Sequence, residues 1–287
     1  MENAENMKAL VREKYGQIAR EGGCCGGTSC CGPSAENGVA LTMSEDYRNL
    51  EGYVEEADLG LGCGIPTDAA DLRPGQVVLD LGSGAGNDAF VARGIVGETG
   101  KVIGVDMTPD MVKKSRENAG RLGFGNVEFR LGELEALPVD GSSIDRVVSN
   151  CVLNLVPDKA GAFSEMFRVL KPGGGFSVSD IVLEGEFPET LKNAAELYVG
   201  CLSGAIPKTA YLRMLEQAGF EAVRVAKEKS IVLPEELLSE HLDAEGRKSF
   251  AASGTRVLSV TVQGRKPERS ADPCCVPLAR EGACCAS

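Results

Sequence analysis

"VLDLGSGAGNDAF", residues 78–90, decides the fold. A short apolar run meets an acid, then three glycines at alternate positions, then residues suited to opening a helix. An apolar run this short is the signature of a parallel strand buried on both faces. Gly82, Gly84 and Gly86 let the backbone turn tightly and let a ligand come close to it. The spacing is G-x-G-x-G and not the G-x-G-x-x-G of dinucleotide binders.

The same rhythm continues on the C-terminal side. "KVIGVD" (101–106), "NVEFRL" (126–131), "IDRVVSN" (144–150) and "GFSVSDIV" (175–182) read as further strands. "PDMVKKSRENAGRLG" (109–123) and "KAGAFSEMFRVLKPGG" (159–174) read as helices between them. Such alternation predicts an α/β fold, a doubly wound, Rossmann-like sheet with helices on both faces. "PETLKNAAELYVGCLSGAI" (188–206) reads as one more helix, and "TAYLRMLEQAGF" (209–220) as another. "EAVRVAKEKSIVL" (221–233) and "TRVLSVTVQGRK" (255–266) alternate like antiparallel strands. They either extend the main sheet or form a small C-terminal α+β part. Upstream, "MKALVREKYGQIAR" (7–20) has helical apolar spacing through Leu10, Val11, Ile18 and Ala19. A short helix is expected within 46–62, and "TDAADL" (67–72) reads as a helix capped by Thr67. The expected organisation is an N-terminal helix and Cys-rich loop (1–45), a central domain (46–206), a C-terminal part (207–264) and a Cys-rich tail (265–287).

The ends of the first three strands carry the chemistry. Asp80 sits where a pyrophosphate would meet its carboxylate, so it disfavours a dinucleotide and suits a ligand with a cationic amino-acid end. Asp106 ends the second strand, where an acid accepts hydrogen bonds from ribose hydroxyls. Glu133, in "LGELEALP" (131–138), is placed to accept from an adenine amine. Together these features describe S-adenosylmethionine better than a nicotinamide cofactor. "RVLKPGGGFSVSD" (168–180) is the usual ending of the class I methyltransferase core, which residues 76–183 resemble.

Composition narrows the class. The net charge of -12 repels phosphate backbones, so nucleic acid is not an expected partner. No apolar run has the roughly 18 residues of a membrane helix. "MENAENMKALVREKYG" (1–16) lacks a basic segment followed by an apolar core, so a cytoplasmic location is expected. There the eleven cysteines read as thiols, ligands or redox groups. The one histidine, His241, lies in an acidic stretch and reads as a solvated surface residue. A monomer is the expected state.

Eight cysteines form adjacent pairs in "EGGCCGGTSCCG" (21–32) and "PCCVPLAREGACCAS" (273–287): Cys24, Cys25, Cys30, Cys31, Cys274, Cys275, Cys284 and Cys285. Three stand apart: Cys63 in "GLGCGIP", Cys151 in "SNCVLNL" and Cys201 in "YVGCLSGAI". Ligands of open α/β sheets sit outside the carboxyl ends of the strands. Cys151 falls at that crevice, and Cys63 and Cys201 come from segments placed to cover it. A lone buried cysteine often only fills space. Three on crevice-facing elements, two flanked by glycine, read instead as a site. Thiolates select soft centres, and no fourth Cys or His stands at zinc-like spacing. A trivalent thiophile such as As(III) takes three sulfurs and keeps a lone pair for the sulfonium methyl. No general base is then needed, in keeping with a chain of one histidine.

These motifs, "LGLGCGIP", "VLDLGSGAGNDAF", "GKVIGVDMTPDM", "NVEFRLGELEALP", "SNCVLNLVPDK", "VLKPGGGFSVSDIV" and "YVGCLSGAI", resemble the arsenite S-adenosylmethionine methyltransferase family over residues 7–262. The resemblance implies a class I methyltransferase fold in which Cys63, Cys151 and Cys201 bind As(III). It implies that Asp80, Gly82, Gly84, Gly86, Asp106, Met107, Glu133, Leu134 and Asn150 hold S-adenosylmethionine. It further implies stepwise methylation of arsenite and methylarsenite for arsenic detoxification, with glutathione or thioredoxin as thiol reductant. The terminal cysteine pairs are candidates for capture of As(III). Two departures stand out: a short stretch between Tyr47 and Cys63, and Ile65 where family members often carry Asn. A methyltransferase acting on carbon or oxygen of a small organic acceptor, and a non-catalytic thiol-rich metalloid binder, stay as alternatives.

Overall fold

The computed structural model describes residues 2–21, 45–192, 202, 204–233 and 235–268. Its centre is a seven-stranded sheet in the order β3-β2-β1-β4-β5-β7-β6. The strands are β1 (Val77–Leu81), β2 (Lys101–Asp106), β3 (Val127–Leu131), β4 (Ile144–Asn150), β5 (Leu170–Glu184), β6 (Glu221–Ile231) and β7 (Arg256–Arg265). The first five are parallel, and β7 runs antiparallel to both β5 and β6. Strand order reverses at β1, so the crevice outside β1 and β4 is where this topology seats a ligand.

Both faces of β1 are buried because its side chains alternate between two cores. Leu79 and Leu81 join Val147, Phe163 and Met166 on one face, with Tyr211 and Leu215. Val78 joins Phe90, Met111, Val112 and Phe129 on the other. The covering helices are α3 (Asn87–Val96) and α4 (Pro109–Leu122) on the Val78 face. Helix α5 (Lys159–Val169) and the helix Lys208–Gln217 cover the Leu79 face. The long helix α1 (Glu2–Glu21) matches the amphipathic reading of 7–20 and packs against α4.

One open alternative is resolved and two local expectations change. Residues 221–265 extend the main sheet and do not form a separate layer: β7 pairs with β5 over its whole length, from Gly175↔Arg265 to Glu184↔Arg256. The charged β6, rich in Lys and Glu, becomes the outer edge, where charge discourages further strand pairing. "KPGG" belongs to β5 and not to the helix before it, which ends at Val169. Thr67 is not a cap: α2 (Pro66–Ala69) starts at Pro66, whose fixed φ suits the first helical position. The Thr67 hydroxyl is buried without a hydrogen-bond partner among the described residues.

Several expectations fall outside the described residues: Cys201, most of the helix expected over 188–206, and all eight paired cysteines. His241 ends a short helix, Glu235–His241, and is partly exposed. Among the described residues, no helix is long and apolar enough to cross a membrane.

Candidate active site

The pocket outside β1, β2 and β4 has a volume of about 140 Å³. Its floor is the turn after β1. The Gly82 and Ser83 amides donate to the Val105 carbonyl at 2.7 and 3.1 Å, tying that turn to the end of β2. Gly82, Gly84 and Gly86 all have positive φ. A Cβ on Gly82 would stand 2.4 Å from the Val152 side chain. A Cβ on Gly84 would meet only Met111 Sδ, at 4.0 Å, so the open side of the turn is the pocket itself. Gly82→Ala should therefore cost about 1–3 kcal/mol through overpacking and backbone strain. It should also push Val152 outward and weaken cofactor binding. Thermal melts and a cofactor titration check both effects.

Asp106 is clamped by two amides. Gly84 N–H donates to Oδ2 at 2.9 Å and Thr108 N–H to Oδ1 at 2.8 Å. Burial pushes its carboxyl up, and these two bonds pull it back toward the charged form. The carboxylate's remaining lone pairs can accept from ligand hydroxyls. Met107 and Leu134 add apolar walls.

Glu133 is placed differently from the expectation. Lys8 on α1 donates to its Oε2 at 2.7 Å, and Arg12 pairs with its Oε1. Two cations from α1 thus draw the carboxylate away, and Glu135, which also pairs with Lys8 at 3.0 Å, stands on the pocket wall. Lys8, Val11 and Tyr15 bring α1 over the mouth.

Asp80 is 2% exposed, and its Oδ2 has no hydrogen-bond partner among the described residues. Burial pushes its carboxyl well above the ordinary range, and the nearby Asp88 and Asp106 push it further. Asp88, in the first turn of α3, is driven up to about 6 by burial, against hydrogen bonds from Asn150 and Tyr47. A buried, under-satisfied acid beside a second one is a receptor for a cation. This chemistry fits the ammonium of S-adenosylmethionine and opposes a pyrophosphate. Affinity for that cofactor should rise as pH rises through about 6 and Asp88 ionises. The apoprotein should show the opposite sign. Acids raised by folding cost stability as pH climbs from the ordinary aspartate value of about 4 toward the raised one. Calorimetric titration and melting curves from pH 5 to 8 read both trends.

The thiol side lies at the end of β4. Cys151 is 3% exposed, lines the pocket, and has a left-handed backbone with φ of 60°. That conformation is uncommon for a side chain other than Gly, Asn or Asp. Its N–H donates to Ser179 O at 2.7 Å, which fixes the turn. Cys63 is 1% exposed and shares an apolar cluster with Cys151, Val11, Leu155, Ile181 and Leu202. Its loop crosses the sheet closely: a Cβ on Gly62 would lie 2.5 Å from Asn150 Nδ2. Asn150 accepts from Cys63 N–H at 3.0 Å and donates to the Gly64 carbonyl at 2.8 Å. Tyr47 and Asp88, which sequence reasoning missed, complete this polar cluster. The available signal was an acid two residues after Gly86, in the first turn of α3.

Comparison with known proteins decides the assignment. Residues 72–219 match the family model described as a methyltransferase domain. A protein named arsenite methyltransferase from Halobacterium salinarum is 42% identical over 275 residues, covering 92% of this chain and 68% of that one. The chain belongs to the arsenite methyltransferase family. A second member, from Aquipseudomonas alcaligenes, is 32% identical over 243 residues, covering 82% of this chain and 68% of its own. The X-ray structure of an arsenic(III) S-adenosylmethionine methyltransferase from Chlamydomonas reinhardtii is 37% identical, with a TM-score of 0.61 over 72% of this chain and 68% of that one. Arsenite methyltransferase family membership agrees with the α/β methyltransferase fold of the sheet.

Proposed function

We propose that this protein transfers the S-adenosylmethionine methyl group to trivalent arsenic held by the thiolates of Cys63, Cys151 and Cys201. The observation that carries this reading is Cys151, a buried thiol set on the pocket wall by a left-handed turn one residue before Val152, which packs on Gly82. Leu202, next to Cys201 in sequence, is buried in the same apolar cluster as Cys63 and Cys151, which supports a third thiol from that segment.

Each residue then has a job. Asp80 and Asp88 hold the cofactor's ammonium, Asp106 takes the ribose hydroxyls, and Met107 and Leu134 flank the base. S-adenosylmethionine held by these acids would supply its methyl as an electrophile and would leave as a neutral thioether, the As–C bond gained matching the C–S bond lost. The thiolates hold arsenic so that its lone pair points at that methyl. Arsenic is formally oxidised by two electrons. A thiol reductant, glutathione or thioredoxin, returns them and becomes a disulfide. The burial of the pocket keeps water from the thiolates. Positioning of this kind contributes about 7–11 kcal/mol. Arsenic detoxification follows as the physiological role, and the paired terminal cysteines collect As(III) for the pocket. Radiolabelled methyl transfer to arsenite and methylarsenite, with speciation of the products, tests the reading. Labelled cofactor that methylates neither acceptor overturns it.

A further inference from the structure

Asn150 was expected among the cofactor ligands, and the two N–H donors of its side chain are committed elsewhere. A primary amide has two N–H donors and one acceptor oxygen. Here Nδ2 lies 2.8 Å from the Tyr47 hydroxyl, 2.8 Å from the Gly64 carbonyl and 3.1 Å from Asp88 Oδ2. Two hydrogens serve three acceptors, so none is left for a ligand. Oδ1 accepts from Cys63 N–H at 3.0 Å. The amide's orientation is unambiguous: a carbonyl and a carboxylate can only accept, and a backbone N–H can only donate. Tyr47 closes the ring by standing 2.8 Å from both Gly64 O and Asp88 Oδ1.

The consequence is geometric. One side chain pins the Cys63 backbone on both sides, through its own N–H and through the carbonyl of the next residue. That side chain belongs to the residue immediately before Cys151. We infer that Asn150, braced by Tyr47 and Asp88, is a positioning residue that sets the separation of Cys63 from Cys151, with no side-chain N–H to spare for the cofactor. This rests on the proposed thiolate site. A soft centre shared by sulfurs on two loops tolerates little drift, and an error of about 1 Å at a reacting centre can cost about a hundredfold. No disulfide or other covalent tie between the loops is needed, because the amide links them without consuming a thiol.

The test uses the full-length protein and steady-state methylation of arsenite, which reports only on arsenic in the productive site. Asn150→Ala should raise the arsenite KM and lower kcat, each by at least about tenfold, roughly 1.4 kcal/mol. S-adenosylmethionine affinity, measured by calorimetry, should change by less than about threefold. Tyr47→Phe keeps the ring and its packing, removes one brace, and should move the arsenite KM in the same direction by about threefold. An unchanged arsenite KM in both variants overturns the inference. So does a parallel loss of arsenite and cofactor affinity, which marks general loosening, or a loss confined to the cofactor. If the unmodified protein does not methylate arsenite, the proposed function falls and this inference falls with it. If it does, and the variants behave as it does, only the positioning role is lost.

Discussion

Cys151→Ser lowers arsenite methylation by at least about a thousandfold, the scale expected when a ligand that holds the reacting atom is lost. A serine hydroxyl is neither soft nor ionised near neutral pH, so it does not replace a thiolate toward As(III). Loss of folding is separated from loss of chemistry by Cys151→Gly. The left-handed backbone costs a non-glycine residue about 1–2 kcal/mol. Glycine removes that cost while giving up one buried sulfur. The two effects oppose each other, so the melting temperature should stay within a few degrees while activity disappears. S-adenosylmethionine binding should persist in both variants. Full activity in either one excludes Cys151 as a ligand of the substrate.

Asp80→Asn separates stability from function with opposite signs. In the apoprotein, Asp80 is a buried acid with an unmatched oxygen, and Asp88 and Asp106 repel its charge. Asparagine has the same shape and no charge to desolvate. The apoprotein should therefore gain a degree of stability common for relief of an unfavourable group, about 0.5–2 kcal/mol above pH 7. The same change removes the charge that meets the cofactor's ammonium. Loss of a charge-assisted hydrogen bond in a buried site is worth about 1.5–3 kcal/mol, or about 10- to 150-fold in affinity. Melting curves and calorimetry on the same sample check the pair of signs. A variant that binds cofactor normally shows that Asp80 does not face the ammonium. A variant that melts lower shows that its carboxylate is satisfied in the apoprotein.

The parts of this molecule visible in the sequence are those built from neighbours. β1 and β2 are short apolar runs whose side chains are buried on both faces, and the boundaries of β1 to β4 match the pattern closely. Asp106 could be placed because it ends a strand, and its partners Gly84 and Thr108 follow from the same turn geometry. The ring around Asn150 was not visible, because its partners are 62 to 103 positions away along the chain. Glu133 shows the same limit: its cations come from α1, 121 and 125 positions earlier. The β6 and β7 pattern identified antiparallel strands but not their address. Alternation specifies a pleated surface, and only the open flank of β5 specifies where that surface docks.

The position of β7 has a consequence for biosynthesis. Among the described residues it is the last strand in sequence, yet it lies between β5 and β6, and β6 has no strand partner there other than β7. The Cys63 carbonyl takes its hydrogen bond from Ser259 on that strand, and Gly64 packs on Ser179 and Thr261. A nascent chain therefore displays Cys63 and Cys151 before the Cys63 loop is secured against β7. A polypeptide interrupted before residue 256 carries both sulfurs and lacks the strand that anchors the Cys63 carbonyl, so premature release from the ribosome yields a thiol-bearing fragment whose Cys63 loop is held on one side only.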